Sequence, residues 1–258
     1  MNTFSSSAVT AFSLITSFDP MLAAIVARSL AVSALACVIA CSAGLLLGSW
    51  LGVVRFRGRG VVLALLNTAL ALPSVVVGLV VYLLLSRSGP LGFLGWLFSF
   101  KAMVLAQSVL VLPVVMALVR QTIEDAERSH GEQFQSLGAR RFMRGLILLW
   151  DERYALLTVL IAAFGRAISE VGAVMIVGGN IDGFTRVMTT SIALETSKGD
   201  LPLALALGIV LLAVVLLLNT VIALVRRWRE RLDDPLPELR PALVAGLPAG
   251  AATRGTQP

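Results

Sequence analysis

Long runs of apolar residues alternate with short polar segments along most of this 258-residue chain. Five of the runs have a length close to that of a transmembrane helix, which needs about 20 residues to cross about 30 Å of hydrocarbon. These runs cover residues 29–54, 61–85, 102–119, 154–177 and 201–225. The pattern therefore predicts an all-α, polytopic membrane protein with about five transmembrane helices.

The composition supports a bilayer as the solvent of this chain. Hydrophobic residues make up 57% of the sequence and charged residues 14%, whereas about a quarter of a soluble domain is charged. The formal net charge is +6, but the basic residues lie in short segments beside the apolar runs. That distribution indicates membrane topology, so we expect lipid as a partner and no nucleic acid.

The basic residues also predict the orientation of the spans. Most of them fall on one side of the membrane if there are five spans: Arg55, Arg57, Arg59, Arg120, Arg128, Arg140, Arg141, Arg144, Arg153, Arg226, Arg227, Arg229 and Arg231. The opposite side carries only Arg87, Lys101, Arg186 and Lys198, with Arg28 near the boundary. The positive-inside rule therefore predicts an outside N-terminus and a cytoplasmic C-terminus.

Three regions follow from this reading of the chain. Residues 1–28 are predicted to be a periplasmic segment, whose part from Pro20 lies along the interface as a helix or protrudes beyond it. Residues 29–231 form the transmembrane domain. Residues 232–258 are rich in Pro, Gly and Ala, which predicts a disordered cytoplasmic tail.

Local signals predict how the spans begin, pack and bend. Asp19-Pro20 and Asp200-Leu201-Pro202 are typical helix starts. A stripe of small residues at four-residue spacing predicts close packing of the first span against another helix: Ala36, Ala40, Gly44, Gly48 and Gly52. Pro73 and Pro113 are expected to kink the second and third spans.

The polar segment between Leu118 and Tyr154 interrupts the apolar sequence and carries a recognisable motif. Glu132, Gln133, Phe134 and then Gly138 have the spacing of the cytoplasmic loop of ABC importer permeases, in which Glu-Ala-Ala is followed by three residues and Gly. The resemblance continues loosely at Leu148. The chain departs from the family pattern at four positions: Gln133, Phe134, Trp150 and Asp151.

A second stretch, from Phe164 to Asp200, is similar to tungstate-type ABC permeases. Its Arg-x-x-x-Glu-x-Gly part is shared with molybdate and sulfate permeases, whereas Gly-Gly-Asn followed by Thr-Arg-Val-Met-Thr-Thr favours the tungstate branch. The resemblance covers residues 20–231. It implies an ABC type I importer permease fold with a coupling-helix loop between the third and fourth spans.

The resemblance also implies the partners and the mechanism. A short helix, a Gly-allowed turn and a second helix would form an elbow that slots into a separate dimeric ATPase subunit. ATP would bind that partner, since no G-x-x-x-x-G-K-[ST] motif occurs here, and this chain would carry no cofactor. A periplasmic or extracellular oxyanion-binding protein and a second copy of this chain are the other expected partners. The alternative for the polar segment is a solvated amphipathic hairpin.

Charged residues within the fourth span are candidates for the translocation pathway. Arg166 and Glu170 are costly at that depth unless they are paired or face water. An intrahelical ion pair that only stabilises the fold is the alternative, but Arg before Glu is the less favourable order, which favours additional partners on other spans or on a second copy of the chain.

The outer loop after the fourth span adds Asn180, Thr185 and Arg186 to these candidates. Gly178-Gly179-Asn180 predicts the end of a helix. Hydroxyl groups and a guanidinium suit a passing oxyanion or a docked partner. Most hydroxyl residues of the loop are nevertheless expected to be solvated: Thr185, Thr189, Thr190, Ser191, Thr196 and Ser197.

Other classes of function find less support in the sequence. Molybdate or sulfate transport by the same machinery remains open, because these oxyanions share their charge with tungstate. An ion-coupled secondary transporter often has inverted repeats, and we find no clear repeat. Catalytic and metal sites are not expected: Cys37 and Cys41 are interpreted as packed small residues, and His130 is the only histidine.

Overall fold

The computed structural model describes residues 20–136, 138 and 140–233, together with Val9 and Ser13. Its elements are α1 Pro20–Val53, α2 Arg59–Leu70, α3 Ser74–Leu85, a 3-10 turn Gly92–Leu94, α4 Phe100–Ser136, α5 Arg141–Asp151, α6 Arg153–Ile168, α7 Gly172–Gly178, α8 Met188–Lys198 and α9 Leu201–Asp233. The described residues contain no strand, so the all-α prediction is confirmed.

The predicted spans correspond to long or paired helices. Three stretches are long and apolar enough to cross a membrane: Pro20–Val53, Phe100–Ser129 and Leu201–Leu224. Two bent pairs, α2 with α3 and α6 with α7, raise the number to five if each pair is one span. The described part of the chain therefore has between three and five candidate spans, and the predicted five is the upper value.

The second and fourth spans are not the continuous helices that the sequence pattern predicts. The axes of α2 and α3 differ by 101°, and those of α6 and α7 by 54°. Pro73 lies in extended backbone before α3, where its ring cannot continue the helix before it. The predicted kink at Pro73 is thus a full break, whereas Pro113 lies inside α4 without ending it.

The small-residue stripe of α1 packs against α4, as predicted. A Cβ atom added to Gly44, Gly48 or Gly52 would lie 2.6–2.9 Å from side-chain atoms of α4. The facing residues are Val115, Val119 and Ile123. The two helix backbones therefore approach closely because glycine lacks a side chain, and dispersion contacts between them stabilise the pair.

The two helix breaks lie side by side. A Cβ added to Gly78 of α3 would come within 2.7 Å of the Ala173 Cα atom in α7. A Cβ added to Gly172 would come within 2.9 Å of the Ser74 hydroxyl. The short helices α3 and α7 therefore cross in direct backbone contact, and both start at a break in their span.

Helix ends agree with the capping prediction where the structure describes them. The Asp200 carboxylate accepts a hydrogen bond from the Leu203 amide at 3.1 Å, which caps α9. At the other end of the chain, α1 begins at Pro20 and continues without interruption to Val53, about 51 Å at 1.5 Å per residue. Asp19 lies outside the described residues.

The chain divides into two compact units after Leu216. In the first, Ile25, Met188, Ala206 and Val210 form a buried cluster from α1, α8 and the first half of α9. In the second, α9 continues to Asp233. Residues 232 and 233 of the predicted tail are therefore helical, and residues 234–258 lie outside the described part of the chain.

Candidate functional site

The predicted elbow is a helix, a glycine turn and a second helix. α4 runs to Ser136, Gly138 has φ +73°, and Arg140 is extended before α5 begins. A left-handed φ favours glycine because other residues strain there. The predicted separate short helix before the turn is wrong, since that segment is the continuation of α4.

The motif residues of the elbow differ in their surroundings. Gln133 and Gly138 are exposed, whereas Phe134 is half-buried and packs on the core cluster that contains Val119, Ile123 and Leu148. The side chain of Glu132 lies outside the described residues. Phe134, where the family pattern has alanine, thus packs the end of α4 onto this core cluster.

A cluster of ion pairs lies just before the elbow, and it was not predicted from the sequence. The Glu124 carboxylate is 2.6 Å from Arg120, 3.0 Å from Arg59, and 3.2 Å from both Arg55 and Arg128. The residue is 7% exposed. The four-residue spacing of Arg120, Glu124 and Arg128 on one helix was visible in the sequence, but the contacts of Arg55 and Arg59 were not.

A second ion pair joins α4 to α5. The Arg144 guanidinium of α5 lies 2.6 Å from the Glu127 carboxylate, as a charge contact without hydrogen-bond alignment. Arg144 is almost fully buried, so the pair is shielded from water and salt. These ion pairs hold the end of α4 to α5 and to the α1–α2 corner, which is the segment that contains Arg55 and Arg59.

Arg166 and Glu170 form the pair that the sequence suggested, at the break between α6 and α7. Their charged groups are 2.9 Å apart. The other Glu170 oxygen accepts a hydrogen bond from the Ala173 amide at 3.1 Å. The Glu170 carboxylate was expected to have a further partner on another span, but both of its bonds are within its own broken span. The bond from Ala173 satisfies a backbone amide at the start of α7.

The two residues of this pair differ in exposure. The Arg166 side chain is 42% exposed, whereas that of Glu170 is 4% exposed. Arg166 lies 13 residues after the start of α6, about 20 Å along the helix. A guanidinium therefore faces outward from this chain at a depth where the hydrocarbon of the bilayer is expected.

Polar side chains from neighbouring helices satisfy carbonyl groups at this break. The Gln107 amide of α4 donates to the Ala167 carbonyl at 2.9 Å. The Thr189 hydroxyl of α8 donates to the Glu170 carbonyl at 2.9 Å. A broken helix exposes carbonyls that a membrane cannot solvate, so Gln107 and Thr189 stabilise the break. Gln107 was missed, although a lone glutamine in an apolar run was a visible signal.

A small polar cavity lies beside Gln107. It is lined by Ser29, Ser33, Gln107 and Thr189 with three apolar residues, and it has room for about one water molecule. The Gln107 Oε1 atom is buried without a hydrogen-bond partner among the described residues.

The outer loop is closed by its own hydrogen bonds. The Thr185 hydroxyl donates to the Gly178 carbonyl and accepts from the Ile181 amide. Asn180 has φ +48°, and its amide donates to the Thr190 carbonyl at 3.4 Å. Arg186 pairs with Asp182 at 3.1 Å. Asn180, Thr185 and Arg186 therefore belong to one folded loop.

The expectation that this loop is solvated is wrong for most of its hydroxyl residues. Four of them are at most 6% exposed: Thr185, Thr189, Thr190 and Ser191. Thr196 and Ser197 are exposed, as predicted. Composition alone did not reveal this burial, because residues 188–198 form helix α8, whose first hydroxyl residues, Thr189, Thr190 and Ser191, are buried.

Arg28 of α1 fixes the outer loop. Its guanidinium donates to the Arg186 carbonyl at 2.9 Å and to the Gly183 carbonyl at 2.8 Å. The Ser29 hydroxyl accepts from the Met188 amide at 2.8 Å. These bonds span more than 150 residues of sequence, so nothing in the local pattern predicted them.

The predicted site residues thus occupy two separate regions. Arg166 and Glu170 are linked to the outer loop through α8, because Thr189 bonds Glu170 and Thr190 bonds Asn180. Gln133, Phe134 and Gly138 lie at the end of α4, beyond the Glu124 ion pairs. No group of three or more potential metal ligands occurs among the described residues.

Comparisons with known proteins agree with this architecture. The sequence profile of the binding-protein-dependent transport system inner membrane component matches residues 44–231. The tungstate uptake system permease protein of Peptoclostridium acidaminophilum is 42% identical, over 82% of this chain and 93% of that protein.

Two further relatives are permeases that are not named for tungstate. A probable anion ABC transporter permease protein of Haloferax volcanii is 42% identical over 81% of this chain and 91% of that protein. The molybdenum transport system permease protein of Escherichia coli K12 is 30% identical, over 67% of this chain and 80% of that protein.

Proposed function

Since the chain belongs to the family of binding-protein-dependent transport system inner membrane components, we propose that it is the permease subunit of an ATP-driven importer of tungstate. The observation that supports tungstate as the substrate is the 42% identity to a tungstate uptake permease over nearly all of that protein. A permease of this family does not hydrolyse ATP itself. The energy comes from a separate ATPase subunit.

The proposed pathway passes the Arg166 side chain. A charged side chain within the hydrocarbon region costs several kcal/mol unless it faces water or a partner, and this guanidinium is 42% exposed on the single chain. We therefore expect Arg166 to face a water-filled passage shared with a second copy of this chain. A guanidinium half-neutralised by Glu170 would attract a doubly charged oxyanion without trapping it.

The proposed coupling surface is the elbow around Gly138, whose exposed turn is available to a partner. In this mechanism the ATPases close on ATP and move the elbow. The Glu124 and Glu127 ion pairs carry that motion to the α1–α2 corner and to α5. The spans then reorient and open the passage alternately to the two sides.

The proposed orientation puts the elbow in the cytoplasm and the N-terminus outside. Contacts within the chain support it: Arg55, which follows α1, and Arg59, the first residue of α2, reach Glu124 near the elbow. At the other end of α1, Arg28 bonds the outer loop. An oxyanion-binding protein would dock on that outer side, where Ile181 and Phe184 are 44% and 61% exposed.

The test of the substrate is cellular tungsten and molybdenum, measured by mass spectrometry at nanomolar supply of each oxyanion. Cells that lack this chain are compared with the same cells complemented by the wild-type gene. Loss of tungsten alone, restored by the gene, is the expected result. Loss of both metals would make the chain a general importer of these oxyanions, and loss of neither would refute the proposal.

A second arm tests the energy source. Deleting the partner ATPase while this chain is still expressed should abolish tungsten uptake. Uptake that persists without the ATPase would contradict an ABC importer and favour an ion-coupled secondary transporter. Native mass spectrometry of the purified complex measures its stoichiometry, for which we expect two copies of this chain and two ATPase subunits.

A further inference from the structure

Helix α5 has an apolar face that points away from the protein. Met143, Leu146, Ile147 and Trp150 are 52%, 39%, 37% and 74% exposed. Their spacing is i, i+3, i+4 and i+7, which places all four on one side of a helix. A soluble surface rarely keeps such a continuous apolar stripe in water, so this face needs an apolar environment.

The opposite face of α5 fixes its position at one end of α1. Arg144 and Leu148 are 4% and 0% exposed, and a Cβ added to Gly145 would lie 3.9 Å from Ser49. Ser49 is one turn before the end of α1 at Val53. α5 therefore lies at the depth where the first span leaves the membrane.

The exposed surface of α1 beside this point is also apolar. Leu46, Leu47 and Trp50 are 56%, 45% and 44% exposed, and α1 is long and apolar enough to span the bilayer. In the proposed orientation these residues would face lipid near the cytoplasmic end of α1. The apolar face of α5 thus begins where a lipid-facing surface of the spans ends.

The far end of α5 has the chemistry of a membrane interface. The Arg153 guanidinium lies 5.6 Å from the centre of the Trp150 ring and 4.6 Å from that of Tyr154. Tryptophan, tyrosine and arginine concentrate at the boundary between lipid and water, where their apolar parts are buried and their polar parts stay wet. Only Glu152 separates α5 from α6.

From this geometry we infer that α5 lies in the plane of the cytoplasmic membrane surface, with its Met143–Trp150 face inserted among phospholipids. Such a helix buries its apolar face at the boundary of headgroups and acyl chains. It would hold the elbow at a fixed height relative to the bilayer. This inference goes beyond the proposed transport function and does not depend on which oxyanion is carried.

Spin labels on single cysteines test the occupant of this face. The labels are attached to Met143→Cys and Ile147→Cys variants of the full chain, with Cys37 and Cys41 replaced by alanine. Asp151→Cys is the matched control, because Asp151 is on the same helix and exposed but polar. Each variant is measured in proteoliposomes, with and without the ATPase, by collision with oxygen and with a water-soluble nickel chelate.

The inserted face predicts a several-fold higher ratio of oxygen to nickel accessibility at positions 143 and 147 than at position 151, with and without the ATPase. Equal ratios at all three positions would mean that the face is in water and would overturn the inference. Labels shielded from both reagents would also overturn it. Shielding only with the ATPase would identify that subunit as the occupant, and shielding without it would identify a second copy of the chain.

Discussion

Replacing Glu124 by glutamine removes the negative charge that holds the α1–α2 corner to α4. The carboxylate is 3.0 Å from Arg59, whose side chain is 13% exposed, and 2.6 Å from Arg120, whose side chain is 24% exposed. Arg59 also donates to the Leu51 carbonyl at 3.1 Å. Glu124→Gln therefore leaves mostly buried guanidinium groups without their counter-charge.

The size of the effect follows from burial. Breaking a buried ion pair costs about 3–5 kcal/mol because the remaining charge is uncompensated. Arg55 and Arg128 are 60% and 69% exposed, so each of those pairs contributes only about 0–1 kcal/mol. Since Arg59 and Arg120 keep some water and glutamine can still accept one hydrogen bond, we expect a loss of about 2–4 kcal/mol.

The assay is reversible unfolding of the purified chain in mixed micelles, followed by circular dichroism during an SDS titration. Asp125→Asn is the matched control, because Asp125 is the next residue, its side chain is 64% exposed, and its pair with Arg128 is 3.8 Å long. The control should change the unfolding free energy by less than about 1 kcal/mol. Equal losses for the two variants would refute the argument from burial.

A double-mutant cycle isolates the contribution of the ion pair. Glu124→Gln and Arg59→Gln together should cost less than the sum of the two single changes, because the second change removes the uncompensated charge. Strict additivity would mean that the two side chains do not interact, whatever their distance in the structure.

Three other changes probe the elbow, the pathway and the packing. Gly138→Val should lower uptake with normal membrane insertion, whereas Gly138→Asn, which tolerates φ +73°, should retain it; equal uptake by both variants would contradict the strained turn. Arg166→Ala should abolish tungsten uptake while Arg166→Lys retains part of it; normal uptake with alanine would remove Arg166 from the pathway. Gly48→Ala should cost about 1–3 kcal/mol, since its Cβ would lie 2.8 Å from Val119. Gly208→Ala, with open space around it, should be neutral or stabilising, and similar unfolding for the two alanines would refute the close α1–α4 contact.

Much of the fold could be predicted because the governing signals are local. The apolar runs marked the candidate spans, the glycine stripe marked the α1–α4 contact, and Gly138 marked the turn of the elbow. Each of these depends on a few neighbouring residues and on a fixed helical period. The backbone of the elbow was therefore predictable from the sequence, apart from the continuity of α4 before the turn.

The features that the sequence did not predict have a common physical cause, because polar groups in them are satisfied by residues outside the local segment. The break between α6 and α7 contains no proline, and Gln107 and Thr189 from other helices stabilise it. The buried hydroxyl groups of α8 are satisfied in two ways: Thr189 donates to the Glu170 carbonyl of the broken span, whereas Ser191 donates to the Val187 carbonyl four residues before it. Composition cannot distinguish these buried hydroxyls from solvated ones.

Helix α4 connects the two candidate regions. Its Gln107 bonds the broken span that contains Arg166 and Glu170, and 17 residues later its Glu124 bonds the α1–α2 corner above the elbow. Those 17 residues extend about 26 Å, close to the thickness of the hydrocarbon core. In the proposed mechanism a displacement of the elbow would reach the break through one continuous helix, whose Gln107 and Glu124 side chains at the two ends are both buried. Because such bonds are costly to leave unmade, in the proposed mechanism α6 and α7 would follow α4 or the break would lose its partners, and either response would change the proposed passage beside Arg166.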